Sequence, residues 1–376
     1  MIGLIAGAIG GTLIGVGTAL IPGLGPQHAV AGASVLGLLG PDAAIAATIT
    51  AYTVSNILGS AKEALTPNAS GNVNVASGAQ EEQHQIDPKQ MTESSYWAKV
   101  IGSALGIFAA TWLGGIVIPF TTLPITPVVA VLITALLWGS FKQHWWVILG
   151  YLFFSQAFFA LAPMLNISNP IYVLGAAVFL IPGCIDAMRP KKTEPGQPDP
   201  RLQFEGVIKT IWLPDFIKLS IGTILAMATP GISPNLITQA TSRKTNAGTQ
   251  LTSAAAEQAI EAFGLIATIQ GIATGKSVLA MELPLGVGFE AIALLLVGAI
   301  VSRILLPYVY NNYKVIGLQS GAHFIALAIA TLTVILGAGV IPGAVLILTG
   351  LVTHFVIKSV GAPGTVRSLL FLGGVL

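Results

Sequence analysis

Charged side chains are scarce in this sequence. They make up 9% of the 376 residues, while 54% are hydrophobic. An ordinary soluble domain carries about 25% charged residues. A shortfall of that size, spread over nearly the whole length, excludes a soluble globular protein and indicates an integral membrane protein. The formal net charge is +2, so there is no basic surface of the kind nucleic acid requires, and no nucleic-acid partner is expected. A single cysteine, Cys184, excludes a disulfide framework within the chain. The five histidines, His28, His84, His144, His323 and His354, have no metal-ligand spacing. No P-loop is present, and no serine nucleophile stands with a partner histidine. The expectation is a protein that is not an enzyme and needs no cofactor beyond a coupling ion. The opening segment lacks the basic region of a signal peptide and reads as the first membrane segment.

What the chain does have is apolar length. A bilayer core about 30 Å thick needs roughly 20 apolar helical residues. Candidate segments lie near 2–21, 26–39, 43–60, 97–120, 124–138, 144–162, 171–187, 214–230, 252–274, 278–305, 321–338 and 341–357. Those near 26–39, 124–138 and 214–230 are too short to cross alone. The expectation is an all-α polytopic protein of the cell membrane with about ten transmembrane segments, some of them broken or re-entrant helices. Residues 66–95 are polar and rich in small residues and read as an exposed loop. Residues 189–205 hold Arg189, Lys191, Lys192 and Arg201, which marks a cytoplasmic linker under the positive-inside rule. The chain then divides into a first membrane repeat (1–188, with the loop 66–95), a linker (189–210) and a second membrane repeat (211–376). Arg303 with Lys314, and Lys358 with Arg367, read as marking further loops.

The two halves share a pattern. Pro22-Gly23-Leu24-Gly25-Pro26-Gln27 and Pro230-Gly231-Ile232-Ser233-Pro234-Asn235 both read P-G-[LI]-[GS]-P-[QN], and both follow a hydrophobic segment. This predicts two related halves, an inverted repeat of the transporter kind. Proline ends a helix but is favoured as the first residue of the next. Each motif therefore stops one helix and starts another, with Gly25 or Ser233 as N-cap. At membrane depth such a break presents N–H groups and a positive dipole end, which can hold an anion. The candidate binding residues are Gly23, Gly25, Gln27 and His28 in the first motif and Gly231, Ser233 and Asn235 in the second. The plain alternative is a pair of turns at the membrane surface.

Two further stretches carry polar groups into apolar sequence. From Tyr52 to Asn72 the chain holds Ser55, Asn56, Ser60, Lys62, Glu63, Thr66 and Asn68. Such a density does not suit lipid; the alternative is an interfacial helix end with Lys62 and Glu63 solvated. Ser60 and Asn68 are taken as hydrogen-bonding partners of a substrate. In the second half, Glu257 and Glu261 are four residues apart and share a helix face. Buried together they could bind Na⁺ or carry a proton, and they are the coupling-ion candidates. The alternative is an interfacial N-terminal turn, where acidic residues favour the helix dipole.

Gly11 to Pro26, "GTLIGVGTALIPGLGP", resembles the signature near the start of the large permease subunit of tripartite tricarboxylate transporters and of that family's shorter archaeal-type relatives. "YTVSNILGSAKEALTPNASG", Tyr52 to Gly71, resembles its next block, and "TPGISPNL" the proline-glycine motif of its second half. The departures are a shorter chain, a proline that precedes Asn68, and no clear glycine-serine block in the second half. The resemblance implies ion-coupled uptake of carboxylates, with a small membrane subunit and an extracytoplasmic binding protein as partners.

The resulting expectation is a secondary transporter for a small organic anion, coupled to Na⁺ or H⁺, with the lipid bilayer and the substrate as partners and homo-oligomers possible. Two other readings stand beside it. One is a membrane scaffold that keeps a transporter-like fold without transporting. The other is a carrier of a phosphorylated lipid, using the same helix-end anion sites.

Overall fold

The computed structural model describes residues 2–22, 24–65, 88–108, 142–167, 170–188, 258–259, 262–263, 289–316 and 320–362. Every element among the described residues is helical. They are α1 (Ile2–Leu20), α2 (Pro26–Ala33) running into a 3₁₀ stretch (Ser34–Leu39), α3 (Pro41–Leu65), α4 (Pro88–Phe108), a 3₁₀ turn (Lys142–His144) leading into α5 (Trp145–Leu161), α6 (Pro170–Gly175), a π turn (Ala176–Leu180), α7 (Ile181–Ala187), α8 (Glu290–Ile316), α9 (Ser320–Ala338) and α10 (Val340–Val360). Four of these helices begin on a proline, Pro26, Pro41, Pro88 and Pro170. That is the position where the missing N–H costs nothing and the fixed φ suits the helix. Among the described residues six helices are long and apolar enough to cross a membrane: Ile2–Leu20, Pro41–Leu65, Lys142–Leu161, Glu290–Val315, Gly321–Ala338 and Val340–Val360. By that measure the chain is a multi-pass helical membrane protein.

The first bundle is built round α3, in which every residue from Ala46 to Ala64 is buried. α1 lies against it through Gly7, Gly11 and Gly15. A Cβ at those positions would run into Ala43, Ala47 and Ala51 respectively, all three through the carbonyl. Spacing of four on both helices puts small residues face to face and lets the backbones approach closely. The matched order also shows that α1 and α3 run parallel. The chain between them must therefore travel back, and α2 with its 3₁₀ stretch does so over about 24 Å. Gly40 then turns the chain at φ +114, a conformation that favours glycine. α8 is also parallel to α3: Ile49 and Tyr52 cluster with Ala291 and Leu295, and Ile57, Leu58 and Ala61 with Leu306 and Val309. α4 runs the other way, with Lys99 level with Asn56 and Ser95 level with Glu63.

The second bundle packs α5, α6, the π turn, α7, α9 and α10 round one core, including Tyr151, Phe158, Leu174, Phe179, Val334 and Leu346. Ala259 and Phe263 join this core. Gln258, one residue before, bonds instead to Asn56 on α3. A Cβ on Gly106 of α4 would strike the Ala259 carbonyl. Gln258 and Ala259 are thus one place where the two bundles touch, and Leu105, Ile107 and Ile292 of the first bundle pack against the second core as well.

Several expected boundaries shift. The loop expected over 66–95 ends earlier, because α4 begins at Pro88 and buries Met91, Thr92, Ser94 and Ser95. The span expected over 278–305 appears as α8, Glu290–Ile316. Arg303 therefore lies inside a helix and marks no loop. It is tolerated there because Glu93 binds it at 2.5 Å and the Tyr96 and Trp97 rings face its guanidinium. Lys358 sits in the last turn of α10, where a cation favours the helix dipole. Residues 124–138, 214–230, most of 252–274 and the second proline-glycine motif lie outside the described residues.

Candidate functional site

The break after α1 forms as its sequence predicts. α2 starts at Pro26, and the Gly25 carbonyl accepts the N–H groups of His28 at 3.0 Å and Ala29 at 3.3 Å. The Gly25 N–H donates to His28 Nδ1 at 3.1 Å. That bond leaves Nδ1 unprotonated, so this imidazole is neutral. The backbone N–H groups of Gly25 and His28, two of the candidate anion donors, are thus bonded within the motif itself. Gln27 lies in the first turn of α2. α1 is about 28 Å long, close to the full hydrocarbon thickness. The break therefore falls at the C-terminal end of a helix long enough to cross.

The carbonyl side of the break meets a side chain that comes from 44 residues further on. Lys62 Nζ donates to the carbonyls of Thr18 at 3.0 Å and Ile21 at 3.2 Å, and to that of Leu24. The Thr18 and Ile21 carbonyls lie at the end of α1 and carry its negative dipole end, and that of Leu24 lies in the link to α2. An ammonium there caps the broken helix. The Thr18 and Ser55 hydroxyls, 2.8 Å apart, tie α1 to α3 just beside it.

Next to Lys62 along the chain, Glu63 faces α4. Its Oε1 is 2.8 Å from Lys99 Nζ, and its Oε2 accepts the Ser95 hydroxyl at 3.1 Å. Lys99 Nζ also donates to the Asn56 carbonyl at 2.6 Å. The Asn56 amide donates to Gln258 Oε1, which carries the network to the junction of the bundles. Lys62 is 2% exposed, Glu63 5% and Lys99 1%. The alternative of a solvated interfacial pair at Lys62 and Glu63 is therefore set aside: both are inside the protein. Asn56, Ser60 and Glu63 are spaced i, i+4, i+7 and share one face of α3. The Ser60 hydroxyl and the Gln258 amide nitrogen are buried and have no hydrogen-bond partner among the described residues.

In formal charge, Lys62 and Lys99 outnumber Glu63 by one. A buried ion pair holds only when geometry and further hydrogen bonds offset desolvation; here Ser95 and the Asn56 carbonyl supply them. Charged groups inside a membrane bundle mark substrate and ion paths more often than they mark stability.

A second polar group closes the other bundle. Asp186 of α7 accepts Lys358 Nζ at 2.6 and 2.7 Å through its two oxygens, and His354 Nε2 lies 3.2 Å from Oδ2. His354 and Lys358 are one turn apart on α10, so the cluster pins α7 to α10 at a half-exposed helix end.

Of the residues singled out in the sequence, Gly25, Gln27 and His28 are brought beside α3, and Ser60 lies on its buried polar face. Gly23, Asn68, Gly231, Ser233, Asn235, Glu257 and Glu261 lie outside the described residues. Lys99 and Gln258 were missed. Lys99 follows Ser95 at i+4, a pattern that puts both on one helix face, but the helix had been started at residue 97. Gln258 stood unremarked between the two glutamates. Among the described residues no group of histidine, cysteine, aspartate and glutamate could hold a metal ion. Comparison with protein-family models, with curated proteins and with solved structures found no match.

Proposed function

We propose that the protein is a secondary membrane carrier for a small organic anion of the carboxylate class, driven by Na⁺ or H⁺. The observation that carries this reading is the buried Lys62–Glu63–Lys99 group. It sits beside a broken helix, has a formal surplus of one positive charge, and reaches through Asn56 and Gln258 to the seam between two bundles. Carriers place their sites at such seams, next to discontinuous helices, so that one bundle rocks against the other round the bound substrate. An interior with a surplus positive charge favours an anionic occupant. Glu257 flanks Gln258 in sequence, and it and Glu261 remain the coupling-ion candidates of this reading. The ten-span plan with two inverted repeats, the cell-membrane location and the resemblance to the large permease subunit of tripartite tricarboxylate transporters belong to the same proposal. So do a small membrane subunit and an extracytoplasmic binding protein as partners.

The test is counterflow. Purified protein in liposomes preloaded with an unlabelled carboxylate should accumulate the labelled one, and a Na⁺ or pH gradient should drive net uptake. Liposomes that accumulate no di- or tricarboxylate under either gradient would refute the carrier reading and favour a scaffold.

A further inference from the structure

Ser60 of α3, Lys99 of α4 and Gln258 are buried donors that neighbour Asn56. Lys99 Nζ is 2.6 Å from the Asn56 carbonyl. In an α-helix that carbonyl is the partner of the N–H four residues on, which is the N–H of Ser60. The ammonium and the Ser60 N–H therefore share one acceptor carbonyl. Lys99 spends two of its three protons, on Asn56 and on Glu63 Oε1. The Ser60 hydroxyl, 0% exposed, has no partner among the described residues. Gln258, also 0% exposed, uses its oxygen on the Asn56 amide and leaves its two amide protons without an acceptor among them. Asn56 thus anchors two of these groups, its carbonyl holding Lys99 and its side chain Gln258, and Ser60 lies one turn further along the same face.

The geometry points to Ser60, Lys99 and Gln258 as a three-donor seat for one carboxylate group of the transported anion. An orphaned buried donor is costly and calls for an acceptor. Here every unspent group donates, and none is an obligate acceptor. A cation finds no ligand set in them; a carboxylate, with two oxygens and four lone-pair directions, matches them. The neighbouring carboxylate does not oppose it, because Glu63 is held by Lys99 and Ser95. The remaining part of the anion would then lie outside this seat, so the seat reads one headgroup and not the whole molecule. This inference rests on the carrier reading above.

The experiment uses the full chain purified in detergent, with acetate, succinate and citrate as probes and succinamide as the neutral counterpart, read by thermal unfolding. At least one carboxylate should raise Tm, and succinamide should not. Ser60→Ala removes a hydroxyl that has no hydrogen-bond partner among the described residues. It should leave the unliganded Tm in place and require about ten-fold more carboxylate for the same rise, the value of a charged hydrogen bond. Gln258→Glu keeps the oxygen that Asn56 needs and replaces the donor with a second oxygen, and should abolish the rise. A Ser60→Ala protein with lowered unliganded Tm would make that hydroxyl structural and overturn the proposal. Carboxylate counterflow with wild-type concentration dependence in both variants would overturn the seat and leave the carrier reading standing. No Tm rise together with no counterflow would overturn both.

Discussion

Lys62 and Thr18 meet at 3.0 Å, ammonium to carbonyl, across 44 residues of chain. The contact joins the C-terminal turn of α3 to the end of α1 and explains how a helix can stop inside the protein. Carbonyls released at a break need a donor when water is excluded. Proline and glycine stop the helix, and Lys62 satisfies what they leave exposed. Lys62→Met should strip this donor from Thr18, Ile21 and Leu24 together. The expected loss is about 2–4 kcal/mol, since buried groups left unsatisfied cost about 1–3 kcal/mol each and partial relaxation recovers some of it. Chemical unfolding in detergent measures it, and a loss below about 0.5 kcal/mol would show that the carbonyls have other donors.

The small-residue seam of α1 offers a paired test. Gly11 has no room for a Cβ, which would strike the Ala47 backbone and Thr50 Oγ1, whereas Gly17 faces open space. Gly11→Ala should force α1 off α3 and cost about 1–3 kcal/mol, the usual range for overpacking. Gly17→Ala should be neutral or stabilising by up to about 1 kcal/mol, from helix propensity alone. Equal effects at the two positions would contradict the parallel seam.

Glu63 and Lys99 should behave as a unit. Removing either partner leaves a buried charge uncompensated, so Lys99→Met should cost about 3–5 kcal/mol. Adding Glu63→Leu to it should restore most of that loss, because a well-packed apolar pair is often as stable as a buried ion pair. Carboxylate transport should stay absent in the double variant, since the seat has lost its ammonium. A double variant that folds and transports like the wild type would remove Lys99 from the site.

The helices of α1, α3, α9 and α10 were legible because their signal is apolar length, which lipid enforces. The break at Gly25-Pro26 was legible because its chemistry is local: a proline where a helix starts and a glycine carbonyl before it. The cap on that break was not, since nothing in "IPGLGPQH" names Lys62. α4 was misplaced because Pro88 to Ser95 is polar and reads as loop. It is a helix only because α3 supplies buried polar partners, Glu63 above all. Arg303 misled for the same reason, as its partners Glu93, Tyr96 and Trp97 lie on another helix. Long-range polar pairing has no local pattern, and the candidate site consists mostly of such pairs.

The parallel course of α1, α3 and α8 fixes which ends share a membrane face. Asp42 opens α3 beside Gly3 of α1, and Glu290 opens α8; both residues are exposed. Asn312 lies near the other end of α8 and is exposed as well. α3 rises about 30 Å from Asp42 to Lys62, so Lys62 and the Glu63–Lys99 pair lie at the level of the far end, with Tyr308 to Lys314 of α8. That stretch carries Tyr308, Tyr310 and Tyr313, and Lys314 lies 4.8 Å from the Tyr310 ring centroid. Aromatic and basic residues of this kind mark the interface. In a background with Cys184 replaced by alanine, Asp42→Cys and Glu290→Cys should react with a membrane-impermeant thiol reagent from one side. Asn312→Cys should react only from the other. The side that labels Asn312 is then the side nearest the buried Lys62–Glu63–Lys99 group. Labelling of Asp42 and Asn312 from the same side would mean that α3 and α8 do not cross in parallel, and the placement of the site near one face would fall with it.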